Sequence, residues 1–212
     1  MAIGRRFWEG LGAYFRERMG LTLSVIVSLV AGVAMGALMA RTAPESTKDE
    51  LFAMLRLLFQ NLGKGEVGGW GLFWLSVWQN LRWLLLLWLL GVTVVGFLAV
   101  LPVVFARGFA SGFAVAFLVD ALGFRGLLLS LFSLFPQLAI SIPTLVLAAV
   151  AAMSFSRGLF GQRQRSLRRR GFLTELVGFS LLVALLTVPL FGASLVEAFV
   201  SPVFLRLMGG AW

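Results

Sequence analysis

The stretch LLLLWLLGVTVVGFLAVLPVVFARGFASGFAVAFLVDALGFRGLLLSLFSLFPQLAISIPTLVLAAVAAMSF, from Leu84 to Phe155, decides the fold. Across it only Arg107, Asp120 and Arg125 carry charge. One bilayer crossing takes about 20 residues of helix, so a block this long is too much for one span and right for three. Its own punctuation divides it: Pro102 to Arg107 closes one span and Gly123 to Gly126 the next. The expectation is an all-α, polytopic membrane bundle with this block as its tightly packed centre.

The rest of the chain agrees. Apolar residues make up 60% of the 212 and charged residues 13%, with a mean hydropathy of +0.97. Globular domains carry about 45–50% apolar residues, and 13% charge is too little to coat a water-exposed surface of this size. The longest hydrophilic stretch is about thirty residues, so one membrane domain over 1–212 is expected and no separate soluble one. Cysteine is absent, which removes disulfides, thiolate metal sites and thiol nucleophiles together. Histidine is absent too, and with it the commonest general base and metal ligand. Neither an enzyme nor a cofactor is expected.

The formal charge of +9 raises nucleic acid as a partner, but its distribution reads as topology. Once spans are drawn, one side holds Arg5, Arg6, Arg16, Arg18, Arg107, Arg157, Arg163, Arg165, Arg168, Arg169 and Arg170 against Glu9 and Glu17. The other side holds Arg41, Lys48, Arg56, Lys64, Arg82, Arg125 and Arg206 against six acids. The arginine-rich side is cytoplasmic by the positive-inside rule. A nucleic-acid surface would carry aromatic base readers beside its arginines, and Gly161 to Gly171 has none. No nucleic-acid partner is expected; membrane lipid is.

From the start, Ala2 to Met19 is amphipathic, with Ile3, Phe7, Leu11 and Phe15 on one stripe. It either lies flat on the inner leaflet or forms a charged flank of the next helix. The first span runs from Leu21 to Ala40. It is too long for a signal-peptide core and has Leu38 where a cleavage site needs a small residue, so it stays as an anchor. Ser28, Gly32, Gly36 and Ala40 recur every four residues and let another helix backbone approach closely. That partner is another helix of the chain or a second copy of it.

An outer loop over 41–75 follows. Thr47 with Glu50 three positions on reads as a capping box, and the helix it starts ends at Gly63. Its stripe, including Leu51, Leu55 and Phe59, either rests on the membrane surface or receives a partner, as do Lys64 and Glu66 just beyond. Trp70, Trp74 and Trp78 fit an aromatic belt, with Arg82 one turn deeper.

The second span is expected at Trp83–Leu101 and the third at Ala106–Leu122, the latter with Gly108, Gly112, Ala116 and Asp120 at four-residue steps. Asp120 pairs with Arg82 or Arg125 in this scheme. The fourth, Leu127–Phe155, must kink or break at Pro136 and Pro143, with Gln137 and Ser141 available to the freed backbone groups. The fifth is Phe172–Phe191. The remaining segment, 192–212, carries Glu197, Pro202 and Arg206 and is expected on the outer surface, with a sixth span as the alternative. Five spans put the amino terminus inside and the carboxyl terminus outside.

Several stretches carry a resemblance. LGVTVVG from Leu90 to Gly96, Ala106-Arg107-Gly108 with Gly112-Phe113, Leu127 to Ser130 leading to Phe135-Pro136-Gln137 and Ile142-Pro143, the outer Lys64-Gly65-Glu66 and the ending Glu197 to Pro202 come in an order that resembles the stage II sporulation protein M family. The arginine-rich loop over 157–171 and the basic amino-terminal segment have no counterpart in that pattern. The resemblance implies a multi-pass protein of the mother-cell membrane at the septum. It also implies a scaffold for the peptidoglycan hydrolases stage II sporulation proteins D and P during engulfment. The alternative is a small-solute transporter or channel subunit using the kinked fourth helix, which would want ionisable groups along a pathway. An intramembrane hydrolase is disfavoured, because Ser111, Ser130 and Ser133 have no suitably placed base.

Overall fold

The computed structural model describes residues 18–63, 69–162 and 169–209. The amphipathic segment expected over 1–18 lies outside these residues except for Arg18, as do Lys64 and Glu66. The order is α1 (Met19–Thr42), α2 (Glu45–Gly63), α3 (Gly69–Val92), α4 (Gly96–Leu122), α5 (Phe124–Leu129), a π-helical turn (Ser130–Leu134), α6 (Phe135–Gln162) and α7 (Arg169–Gly209). Among the described residues five stretches are long and apolar enough to cross a membrane: α1, α3, α4, Phe124–Leu159 across α5 and α6, and Leu173–Phe199 within α7. The protein is an all-helical membrane bundle.

Its centre is α6. Leu145, Val146 and the run Ala148–Met153 are all buried. In the span made by α5 and α6, 56% of the apolar window is covered by protein, against 22–33% in the other four. A helix apolar all round belongs inside. Leu84 and Leu87 of α3, Val100 and Val104 of α4, Phe179 and Val183 of α7, and Val25 of α1 close around it. The outward faces carry the exposed apolar side chains that lipid solvates, among them Leu86, Leu98 and Leu181.

Three elements depart from the sequence expectation. The second and third spans divide at Thr93–Val95, not between Pro102 and Arg107. Ser156 of α6 holds this turn: its Oγ accepts the Phe97 N–H at 2.8 Å and donates to the Thr93 carbonyl at 2.7 Å. Pro102 sits inside α4, and the neighbouring Leu101 carbonyl takes a hydrogen bond from Ser28 Oγ of α1 at 2.9 Å. Arg82 consequently lies in the body of α3 and Arg107 in that of α4.

The fourth span is interrupted by the π-helical turn, which ends directly before Phe135-Pro136. In a regular helix the Pro136 ring would clash with the Phe132 carbonyl, and a widened turn is a common way to absorb that conflict. Gln137 does not serve the freed backbone: its amide reaches α7, and Ser141 Oγ is buried without a hydrogen bond.

The fifth span does not stop at Gly192. The helix α7 continues to Gly209, 41 residues in all, or roughly 60 Å at 1.5 Å per residue. Ala193, Ser194 and Ala198 are buried beyond the expected end. Ala198 packs with Phe73 and Val77 of α3. Small residues facing α3 carry the helix onward where Gly192 alone suggested a stop.

The most extensive inter-helix contact joins α1 to α4. A Cβ on Gly32 would strike the Phe105 carbonyl, one on Gly36 the Phe109 carbonyl, one on Gly108 the Leu29 carbonyl and one on Gly112 the Val33 carbonyl. Backbone lies on backbone along this seam, with Ala116 half-buried one turn beyond Gly112. Residue numbers rise together on both sides, so α1 and α4 run parallel, as the first and third spans of an alternating bundle must.

Candidate functional site

Charged and amide side chains inside spans mark the part of a membrane protein to examine first, because each is costly there unless it is paired. The helix α3 buries Phe73, Ser76, Val77, Asn80, Leu84, Leu87 and Gly91, a stripe at steps of three and four. Ser76 and Asn80 occupy stripe positions where apolar residues would otherwise sit. Asn80 lies midway along α3, eleven residues from Gly69 and twelve from Val92, so roughly 16–18 Å of helix separates it from either end.

Four helices meet at these two residues. From α4, Arg107 Nη2 donates to Asn80 Oδ1 at 3.3 Å, and the guanidinium lies 5.9 Å from the Trp83 ring centre. Asn80 Nδ2 donates to Ser194 Oγ of α7 at 3.2 Å and to Ser76 Oγ at 3.5 Å. Ser76 Oγ donates in turn to Glu197 Oε2 of α7, and Gln137 Nε2 of α6 donates to the same oxygen. Ser76, Asn80, Gln137 and Ser194 are all buried. The result is a relay of donors from a cation to an anion, Arg107 to Asn80 to Ser76 to Glu197. One positive and one negative charge are thereby joined across three helices, with Gln137 adding a fourth.

Beside Ser194 a cleft lined by Val77, Leu81, Thr187, Leu190 and Phe191 encloses about 10 Å³, room for a single water. It is far too small for an organic substrate. The Ser76 hydroxyl faces a carboxylate already engaged by Gln137, so the arrangement holds helices in register and presents no nucleophile to a bound molecule. Among the described residues no group of three or more His, Cys, Asp or Glu side chains converges to hold a metal.

The other polar residues singled out from the sequence lie apart from the cluster. Asp120 pairs with neither Arg82 nor Arg125: its carboxylate meets Lys48 of α2 at 3.2 Å. That hydrogen bond is the main reason the Lys48 ammonium is held above its ordinary pKa, so its contribution persists through neutral pH and is lost only as pH rises through the raised value. Phe52 packs on Phe117, ring centres 5.3 Å apart, and the two contacts together fix α2 against the end of α4. Arg82 is exposed and stacks 5.3 Å over Trp78. Arg125 is exposed. On α2, Leu51 is half-buried, while Met54 and Leu57 are 65% and 58% exposed and form the open apolar face. The helix backbone carries Leu55 and Phe59, whose side chains lie outside the described residues.

Sequence reading named Gln137 and Glu197 but not Ser76, Asn80, Ser194 or the part played by Arg107. The phase of Ser76 and Asn80 with the buried stripe of α3 was the available signal.

The fold and this cluster together define a polytopic α-helical membrane protein that joins Arg107 to Glu197 inside its bundle. The model of the family described as stage II sporulation protein M matches residues 25–202, from the first span through most of α7. The chain belongs to that family, and is a multi-pass membrane protein of a sporulation family. Comparison with curated proteins and with solved structures finds no match.

Proposed function

We propose that this protein is a non-catalytic membrane scaffold that retains peptidoglycan hydrolases, stage II sporulation proteins D and P, during engulfment. Family membership over 25–202 carries the reading. The interior supports it, since buried surface goes to a backbone-on-backbone seam and to a charge relay closed on itself. A body built this way offers fixed outer faces; α2, pinned by Lys48–Asp120 and Phe52–Phe117, presents Met54 and Leu57 outward.

A transporter is the competing reading, and mid-span charge is what it would need. Arg107 and Glu197 are instead committed to each other through Asn80 and Ser76, beside a cleft that holds one water. In the scaffold reading the arginine-rich end faces the cytoplasm and α2 faces the wall.

The test is affinity purification of the tagged full-length protein from sporulating cells in mild detergent. Proteins D and P should co-elute well above an untagged control, and the purified chain alone should leave cell-wall sacculi intact. Absence of both hydrolases, or unaided cleavage, would overturn the proposal.

A further inference from the structure

Two polar side chains lie on the outside of the bundle at mid-span. Gln79 and Arg82 are exposed, three residues apart on α3, and side chains at that spacing are neighbours on a helix surface. Arg82 stands thirteen residues from Gly69 and ten from Val92, so roughly 15–20 Å of helix separates it from either end. Snorkelling to the headgroups serves arginines near helix ends, and this one is far from both. The turn between α3 and α4 sets the depth independently: Arg82 comes eleven residues before Thr93 and Arg107 twelve after Val95, which puts the two positions level in adjacent antiparallel helices. Arg107 joins the relay. Among the described residues Arg82 has no hydrogen bond or ion pair and its one ring contact is Trp78, while Gln79 has no hydrogen bond. A ring face attracts a cation but brings no countercharge. Leu75 and Leu89, both exposed, continue the same face at seven-residue steps on either side of Arg82, the repeat along which two helices stay in contact.

We propose that Gln79 and Arg82 form a docking site for a membrane-spanning helix of another protein that carries an aspartate or glutamate at the middle of its span. A carboxylate at that depth accepts paired donors from the guanidinium and a further N–H from the Gln79 amide. One contact thus satisfies two groups that are costly to leave in lipid. Lipid phosphates stand at the two ends of the span and do not reach it. A second copy of this chain supplies no such carboxylate from its described spans: Asp120 pairs with Lys48 at the end of α4, Glu197 is held in the relay, and Glu175 stands two residues inside the end of the Leu173–Phe199 span. The partner is defined by its carboxylate alone, so this site stands independently of hydrolase retention.

The test uses the full-length protein in phosphatidylcholine vesicles. The probe is a synthetic membrane-spanning helix of leucine and alanine with one glutamate at its centre and a dansyl group that accepts energy from the protein's tryptophans. A second probe has leucine at that centre. The glutamate helix should associate roughly tenfold more tightly than the leucine helix, the scale of one interhelical polar contact in lipid. Arg82→Leu should erase the difference, Arg82→Lys should keep most of it, and Gln79→Leu should reduce it. Without a probe, the thermal midpoint of Arg82→Leu should match that of the native protein, because the side chain holds nothing inside the bundle. Equal association of the two probes, a difference that survives Arg82→Leu, or a lowered midpoint in that variant would overturn the assignment. So would self-association of the protein that Arg82→Leu abolishes, which would make this face a contact between copies.

Discussion

Replacing Glu197 with leucine is expected to cost about 3 kcal/mol of stability, the low end for stripping one partner from a buried charge pair, because Glu197 and Arg107 are half-buried and meet only through Asn80 and Ser76. The Arg107 guanidinium would remain inside the bundle with its relay ending on nothing. Ser76 and Gln137 would both lose their acceptor on α7. For a chain this long, each 1 kcal/mol moves the thermal midpoint about 2–4 °C, so a fall of roughly 10 °C in detergent is the readout. The double variant Glu197→Leu with Arg107→Leu should recover much of it, because removing both charges removes the unpaired one. Double-mutant cycles detect such coupling directly. If the two single changes simply added, the residues would not be coupled and the relay would be wrong.

Gly112→Leu is expected to force α1 away from α4. A Cβ there would lie 2.8 Å from the Val33 carbonyl carbon and closer to its oxygen, and neither is the yielding end of a flexible side chain. Overpacking ordinarily costs about 1–3 kcal/mol. The upper end applies here, because lipid supplies no hydrophobic drive to hold separated helices together and close packing must do it. The Ser28–Leu101 hydrogen bond would be stretched in the same movement. Leu86→Ala, on an exposed face of α3, is the control and should be near neutral. A stable Gly112→Leu beside a weakened Leu86→Ala would mean that the faces are assigned backwards. A Gly112→Leu protein that is stable yet no longer recovers its hydrolases would place the seam between molecules.

How much of this was legible beforehand depends on the range of the interactions. Five apolar stretches and the four-residue spacing of Gly32, Gly36, Gly108 and Gly112 are local properties, and they read directly. That the two small-residue strips face each other is a tertiary fact, visible only once α1 and α4 are parallel neighbours. Pro102 looked like a boundary because proline usually is one; the real turn at Thr93 is held by Ser156, some sixty residues away in sequence. That misplaced boundary put Arg107 at the very end of a span and hid the relay. Moving it into α4 still leaves the arginine excess where the sequence placed it, since the other ten bases of that group lie at or beyond the same ends of α1, α6 and α7. Asp120 was matched to nearby arginines, while the partner it finds is Lys48, which only the folding-back of α2 brings close.

A scaffold for wall hydrolases must present α2 to the compartment that contains the wall, and single-cysteine labelling in intact cells reads this most directly. The native chain has no cysteine to interfere. Ser46→Cys, on exposed α2, and Gly210→Cys, just past the end of α7, should both react with a membrane-impermeant maleimide. Gln164→Cys, in the arginine-rich connection, should react only after the membrane is broken. Reaction at position 164 in intact cells, with protection at 46 and 210, would put α2 in the cytoplasm, out of reach of the wall, and contradict the scaffold.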